Sequence, residues 1–285
     1  MANNTSKSRT SGSGGGVASR VFHPPGRFCL SGGLKVATHN PAFSRGLFPG
    51  YEQVYGEPKS TTMTVQGTVT KSFVLLAILL ATGAWSWGAI AEHTVGYGML
   101  AGASIGALVV AMITMFKPTA APVTAPIYAA LEGVLLGAIS KVVEMRYGQG
   151  IAVQAVSLTC GVLFIMLFMY ATRIIRVTDK LRMGIVVATS ALCLFYLVTM
   201  VLSFFHIGVP FVFSNSVYGV GFSLFVVGLA AFNLLLDFDF IERVSQTSAP
   251  KYMEWYGAFG LMVTLIWLYL EILQLLMKLA SQRDD

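Results

Sequence analysis

In this chain of 285 residues, 55% are hydrophobic and 11% charged, against about a quarter charged in an ordinary soluble domain, so a water-soluble fold is excluded at the outset. A mean hydropathy of +0.70 with 29 Gly, 19 Phe and 13 Met is the composition of a multi-pass membrane protein, whose helices pack through small residues and set aromatics at interfaces. The net charge of +6 does not point to nucleic acid, because the basic residues fall in the tail and between apolar runs; Cys29, Cys160 and Cys193 are too scattered for a disulfide framework or a zinc site, and none of the four histidines lies inside an apolar run.

Residues 1–68 are Ser, Gly, Thr, Pro and basic residues, with no acid before Glu52. Such a segment buries too little apolar surface to offset its ordering entropy, which predicts a disordered basic cytoplasmic tail. An acid-poor start with Ser and Arg also matches an organelle transit peptide, although no Arg-rich amphipathic helix is visible. No apolar core of a secretory signal precedes Ser72.

A membrane-spanning helix needs about 20 mostly apolar residues. Seven runs satisfy this: Ser72–Ala91, Tyr97–Phe116, Pro122–Val142, Ile151–Thr172, Gly184–Phe205, Ser216–Phe240 and Trp255–Lys278. They predict an all-α membrane protein, a seven-helix transmembrane domain over 69–280 and a short tail over 281–285. Short connections make consecutive helices antiparallel neighbours. With the N-terminus inside, fifteen Lys and Arg residues lie on the inner side and four on the outer, which orients the N-terminus in and the C-terminus out. In the second run Gly98, Gly102 and Gly106 form a smooth stripe, and Gly133 and Gly137 repeat it in the third, both read as packing seams.

Intramembrane charge is rare and usually functional. Glu132, Asp237, Asp239 and Glu271 therefore need explaining, while the other acidic residues are read as solvated loop or tail positions. Glu132, in IYAALEGVLLGAIS beside the glycine seam, is a candidate cation or proton site on the face of Tyr128, Leu136, Ala125 and Ala129; a protonated carboxyl bonded to a neighbouring helix is the other reading. Asp237 and Asp239 in LLLDFDFIE lie about 200° apart around the helix. Asp239 has Arg243 four residues on and reads as an interfacial, solvated partner of it. Asp237 shares its face with Asn233, lacks a basic residue one turn away, and must find relief elsewhere or hold a proton. Glu271, in WLYLEILQLL, has apolar neighbours and no basic residue before Lys278.

Two carboxylates about 4 Å apart repel by roughly 4 kcal/mol at an effective dielectric of 20. If Asp237 and Glu271 meet across the bundle they would share one proton and act as a pH sensor; two unrelated carboxyls bonding backbone carbonyls remain the alternative. The depths of the two disagree unless the aromatic stretch Pro250–Phe259 lies in the interface and the last helix starts near Gly260. No catalytic constellation is visible, so an enzyme is not expected, and no Lys sits inside the last run as a retinal protein would require.

From Asn40 to Lys278 the chain resembles the transmembrane Bax-inhibitor-motif family, in its bacterial YccA-like branch, through NPAF at Asn40–Phe43, ALEGVLLG at Ala130–Gly137, LLLDFDFIE, APKYMEWY at Ala249–Tyr256 and LYLEILQLL. The resemblance implies a seven-helix bundle with the last helix central, in a bacterial inner membrane, N-terminus cytoplasmic. It implies a pH-sensitive calcium leak channel, with calcium as transported ion and no cofactor. Its gating carboxylates fall on Asp237 and Glu271, where the family has two aspartates, and these would also meet the calcium. The arginine latch of some members has no counterpart in the first three helices. The rival reading is a non-conducting modulator that binds a membrane protease or another membrane protein.

Overall fold

The computed structural model describes residues 61–91, 97–205 and 216–282. Residues 1–60, with the NPAF motif and most of the tail, lie outside the described residues. Seven helices follow: α1 Val65–Ala91, α2 Tyr97–Phe116, α3 Ala121–Tyr147, α4 Ile151–Ala171, α5 Asp179–Phe204, α6 Val217–Ser245 and α7 Met253–Ser281. All seven are long and apolar enough to cross a membrane. Each predicted run is a helix, and several run on beyond it.

Local chemistry explains why. An apolar run ends where charge begins, but a helix ends where its backbone is capped. Thr64 accepts from the Gly67 amide at 3.0 Å and starts α1 seven residues before Ser72. Thr178 and Ser216 cap α5 and α6 in the same way. A 3₁₀ turn, Pro118–Ala120, leads into α3, whose Pro122 in the first turn suits a helix start, while Pro126 lies inside the helix. The α3–α4 turn is made by Gly148 and Gly150 at φ 104° and 96°, a region that L side chains rarely adopt.

The core is built around α7. It is apolar nearly all round, as a helix must be to sit inside a bundle. It buries Phe259, Met262, Leu268, Ile272 and Leu273 and packs on α1, α3, α4 and α6. It is one continuous helix from Met253, so the expected start near Gly260 is not seen: Trp255, Tyr256 and Phe259 belong to its first turns.

Of the two expected seams, one exists. A Cβ on Gly133 would overlap Thr82 Oγ1 and the Leu79 carbonyl, and one on Gly137 would overlap the Gly83 carbonyl, so α1 and α3 meet backbone to backbone. Among the described residues a Cβ on Gly98 or Gly102 would meet nothing within 4 Å, and one on Gly106 would meet only Leu131. The stripe on α2 is thus smooth without being packed over most of its length. Gly137→Ala is expected to destabilise the protein by about 1–3 kcal/mol through overpacking. Gly102→Ala is expected to cost nothing, gaining up to about 1 kcal/mol of helix propensity. Chemical unfolding of both variants in detergent checks the contrast.

Candidate functional site

Along α7, Thr264, Glu271 and Lys278 recur every seven residues, with Trp267 between the first two. Seven residues is two helical turns, so these side chains form one polar line, each step about 10 Å long. That line faces α5 and α6. At its N-terminal end Thr264 bears on the carboxyl of Asp237, whose Oδ2 is sealed from solvent and has no hydrogen-bond partner among the described residues. Above it Glu271 is 6% exposed, and its Oε1 accepts from Tyr196 of α5 and from Trp267 Nε1, both at 3.1 Å. Its Oε2 is buried and has no partner among the described residues. At the C-terminal end of the line Lys278 is buried, donating to the Gly219 carbonyl at 3.2 Å and to Ser223 Oγ at 2.8 Å, near enough to act on Glu271 electrostatically.

Asp237 and Glu271 therefore do not touch. The expected direct hydrogen bond is absent, because Asp237 meets α7 at Thr264, two turns below Glu271. Both carboxylates face the same helix at different depths, and the separation comes from α7 being continuous. Asn233 turns aside to α5, donating to Thr189 Oγ1 at 2.8 Å and to the Leu229 carbonyl at 2.9 Å. Glu132 is half-buried on α3 beside Tyr128, whose ring packs edge-on against Phe259 with centroids 5.1 Å apart. Ala125, Tyr128, Ala129 and Leu136 are buried as expected. Glu132 has no bond to Asp237 or Glu271.

Asp239 pairs with Arg243, as its spacing predicts, at 2.9 Å. It also binds Arg182 from the first turn of α5. The expectation that it is solvated fails: the residue is 8% exposed, and the two guanidiniums carry its charge out to the surface instead. Beside it, Glu242 accepts from Tyr170 of α4.

The reading that all other acids are solvated fails at Glu254. It is 1% exposed in the first turn of α7. It binds Lys71 of α1, Lys251 at 3.2 Å, and both the amide and the hydroxyl of Thr64 at 2.9 Å. A short antiparallel bridge, Thr62 to Pro250, lies alongside, with the Met63 amide donating to the Ala249 carbonyl at 2.7 Å. Residues 61–71 are thus strapped to the start of α7, and the end of the segment assigned to a tail is structural. Removing residues 1–60 is expected to leave the melting temperature of the purified protein within a few degrees; extending the deletion through Lys71 is expected to lower it sharply.

Thr264 was missed and Lys278 was read only as a base two turns from Glu271, although the seven-residue spacing puts both in line with it. Tyr196, Arg182 and Glu254 carry no local signal, since their roles depend on which helices meet. Among the described residues no three metal-ligating side chains cluster, and Asp237 with Glu271 fall far short of the six to eight oxygens calcium takes in a fixed site.

The sequence profile of the family described as Bax inhibitor 1 like matches residues 40–281. No curated protein and no solved structure gives a significant match.

Proposed function

The chain belongs to the Bax inhibitor 1 like family, and from that premise we propose that it is a passive cation pathway, for calcium, whose opening is set by the protonation of Asp237 and Glu271. One observation carries this reading: Asp237 Oδ2 and Glu271 Oε2 are both buried without a partner among the described residues, on the face where α7 meets α5 and α6. Polar atoms left unsatisfied in a native structure call for an explanation, and inside a membrane a carboxyl is a functional group by default. With both protonated, the interface between α6 and α7 holds no net charge from this pair. Raising the pH removes the protons, leaves two like charges that face α7 about two turns apart, and loosens that contact. Lys278 at the outer end and the Asp239 arginine pair at the inner end bound the line, and Glu132 serves a separate position on α3.

The protein is a multi-pass membrane protein. Its proposed place is the bacterial inner membrane, from the motif resemblance, with the N-terminus inside and the C-terminus outside on the strength of the fifteen to four distribution of Lys and Arg. A cysteine introduced next to Arg176 is expected to stay unlabelled by an impermeant maleimide added to intact cells; labelling reverses the orientation. Calcium efflux from proteoliposomes of the purified protein across pH 6 to 8 tests the pathway itself. Flux that rises with pH supports it. Absence of flux at every pH favours a non-conducting modulator that docks another membrane protein, a reading consistent with the open stripe at Gly98 and Gly102 on α2.

A further inference from the structure

A groove of about 580 Å³ lies between α1, α3 and α4, with Leu265, Ile266 and Tyr269 of α7 behind it. Leu80, Val153 and Val156 on its walls are exposed, so it opens on the lipid-facing surface. Its size is that of a small-molecule site. It runs from Leu76 to Trp87 on α1 and from Leu163 to Ala152 on α4. Eleven helical steps are about 16 Å, which is close to half of the roughly 30 Å hydrocarbon core. The groove is therefore one leaflet deep, on the side of the α3–α4 turn.

Its chemistry suits a hydrocarbon chain. The hydroxyls along it are already engaged within the protein: Ser140 with Tyr269 at 2.6 Å, Ser157 with the Val153 carbonyl at 2.8 Å, Thr159 with the Ala155 carbonyl at 2.8 Å. At the membrane-surface end, Trp87 is shared with a second, polar pocket formed by Lys141, Glu144 and the Gly148–Gly150 turn. Lys141 Nζ stands 5.0 Å from the centre of the Trp87 ring. One Glu144 oxygen accepts from the Gly150 amide at 2.6 Å, while the other has no bond to a described residue.

An apolar slot of leaflet depth that ends in one cation and one anion matches an amphiphile with a phosphate and an ammonium group. We infer that these two adjoining pockets hold one zwitterionic glycerophospholipid, an acyl chain in the groove, its phosphate on Lys141 and its headgroup ammonium on Glu144, with phosphatidylethanolamine as the probe. Lys141 alone would favour any phospholipid; Glu144 beside it selects against a headgroup that lacks a cation.

Native mass spectrometry of the purified full chain, titrated with synthetic phosphatidylethanolamine or phosphatidylglycerol, tests it. The expected result is one retained ethanolamine lipid, removed by Val156→Trp, which fills the groove. Lys141→Gln should weaken retention of both lipids about fivefold, the effect of one basic residue at a membrane surface. Glu144→Gln should erase the preference between them. A second measurement needs no variant: Cys160 is exposed and lines the groove, whereas Cys193 is exposed on α5. Bound phosphatidylethanolamine should slow maleimide labelling of Cys160, quantified by peptide mapping, and leave Cys193 unchanged. Equal labelling of Cys160 with and without lipid, or equal retention of the two lipids by the wild-type chain, overturns the proposal.

Discussion

Asp237→Asn is expected to flatten the pH response of calcium flux, whereas Asp239→Asn is expected to leave it nearly intact. Asparagine keeps the shape of Asp237 and its approach to Thr264 but cannot gain or lose a proton. Asp239 differs because its charge is already answered by Arg182 and Arg243. Its loss should appear as reduced stability instead, since asparagine keeps one acceptor oxygen for the two guanidiniums but no longer carries the charge that pairs with them. The geometry also refines the shape of the response. Two carboxylates in contact would exchange one shared proton, but across the two turns of α7 between Thr264 and Glu271, about 10 Å, their repulsion falls to roughly 1.7 kcal/mol at an effective dielectric of 20. The flux curve should therefore be broad, with Glu271→Gln removing part of it and Asp237→Asn the larger part. Equal effects of Asp237→Asn and Asp239→Asn would show that the two aspartates have been given the wrong roles.

The seven helices were legible because a bilayer demands about 20 apolar residues per crossing, and hydropathy reads that demand directly. The pairing of Asp239 with Arg243 was legible because it is local, four residues apart on one helix. What a single helix cannot reveal is which neighbour it meets and at what height. Asp237 and Glu271 were expected to join because each lacked a partner nearby. Their actual companions, Thr264, Tyr196 and Trp267, include two from other helices, placed by the depth at which α5, α6 and α7 cross. Glycine stripes carry the same ambiguity. Gly133 and Gly137 meet α1, while Gly98 and Gly102 show an identical spacing with no neighbour among the described residues. A smooth face permits close contact without requiring it.

Glu254→Ala is expected to be among the most destabilising single changes in the chain, costing about 3–5 kcal/mol, the usual loss when one member of a buried ion pair is removed. The carboxylate is 1% exposed and answers four donors: Lys71, Lys251, and the amide and hydroxyl of Thr64. Without it Lys71 is left a mostly buried charge, since its side chain is only 16% exposed, and the first turn of α1 loses its tie to α7. Hydrogen exchange should then rise in residues 61–71 before it rises elsewhere. Gly67 provides the internal control. A Cβ at that position would overlap the Glu254 carboxylate, so Gly67→Ala should cost about 1–3 kcal/mol in the wild-type background. In the Glu254→Ala background the obstacle is gone, and the same substitution should instead be neutral or gain up to about 1 kcal/mol of helix propensity. Residues in direct contact couple in this way, whereas independent ones add. Urea unfolding of the four proteins in detergent gives the coupling, and additive costs would mean that Glu254 does not hold the end of α1 against α7.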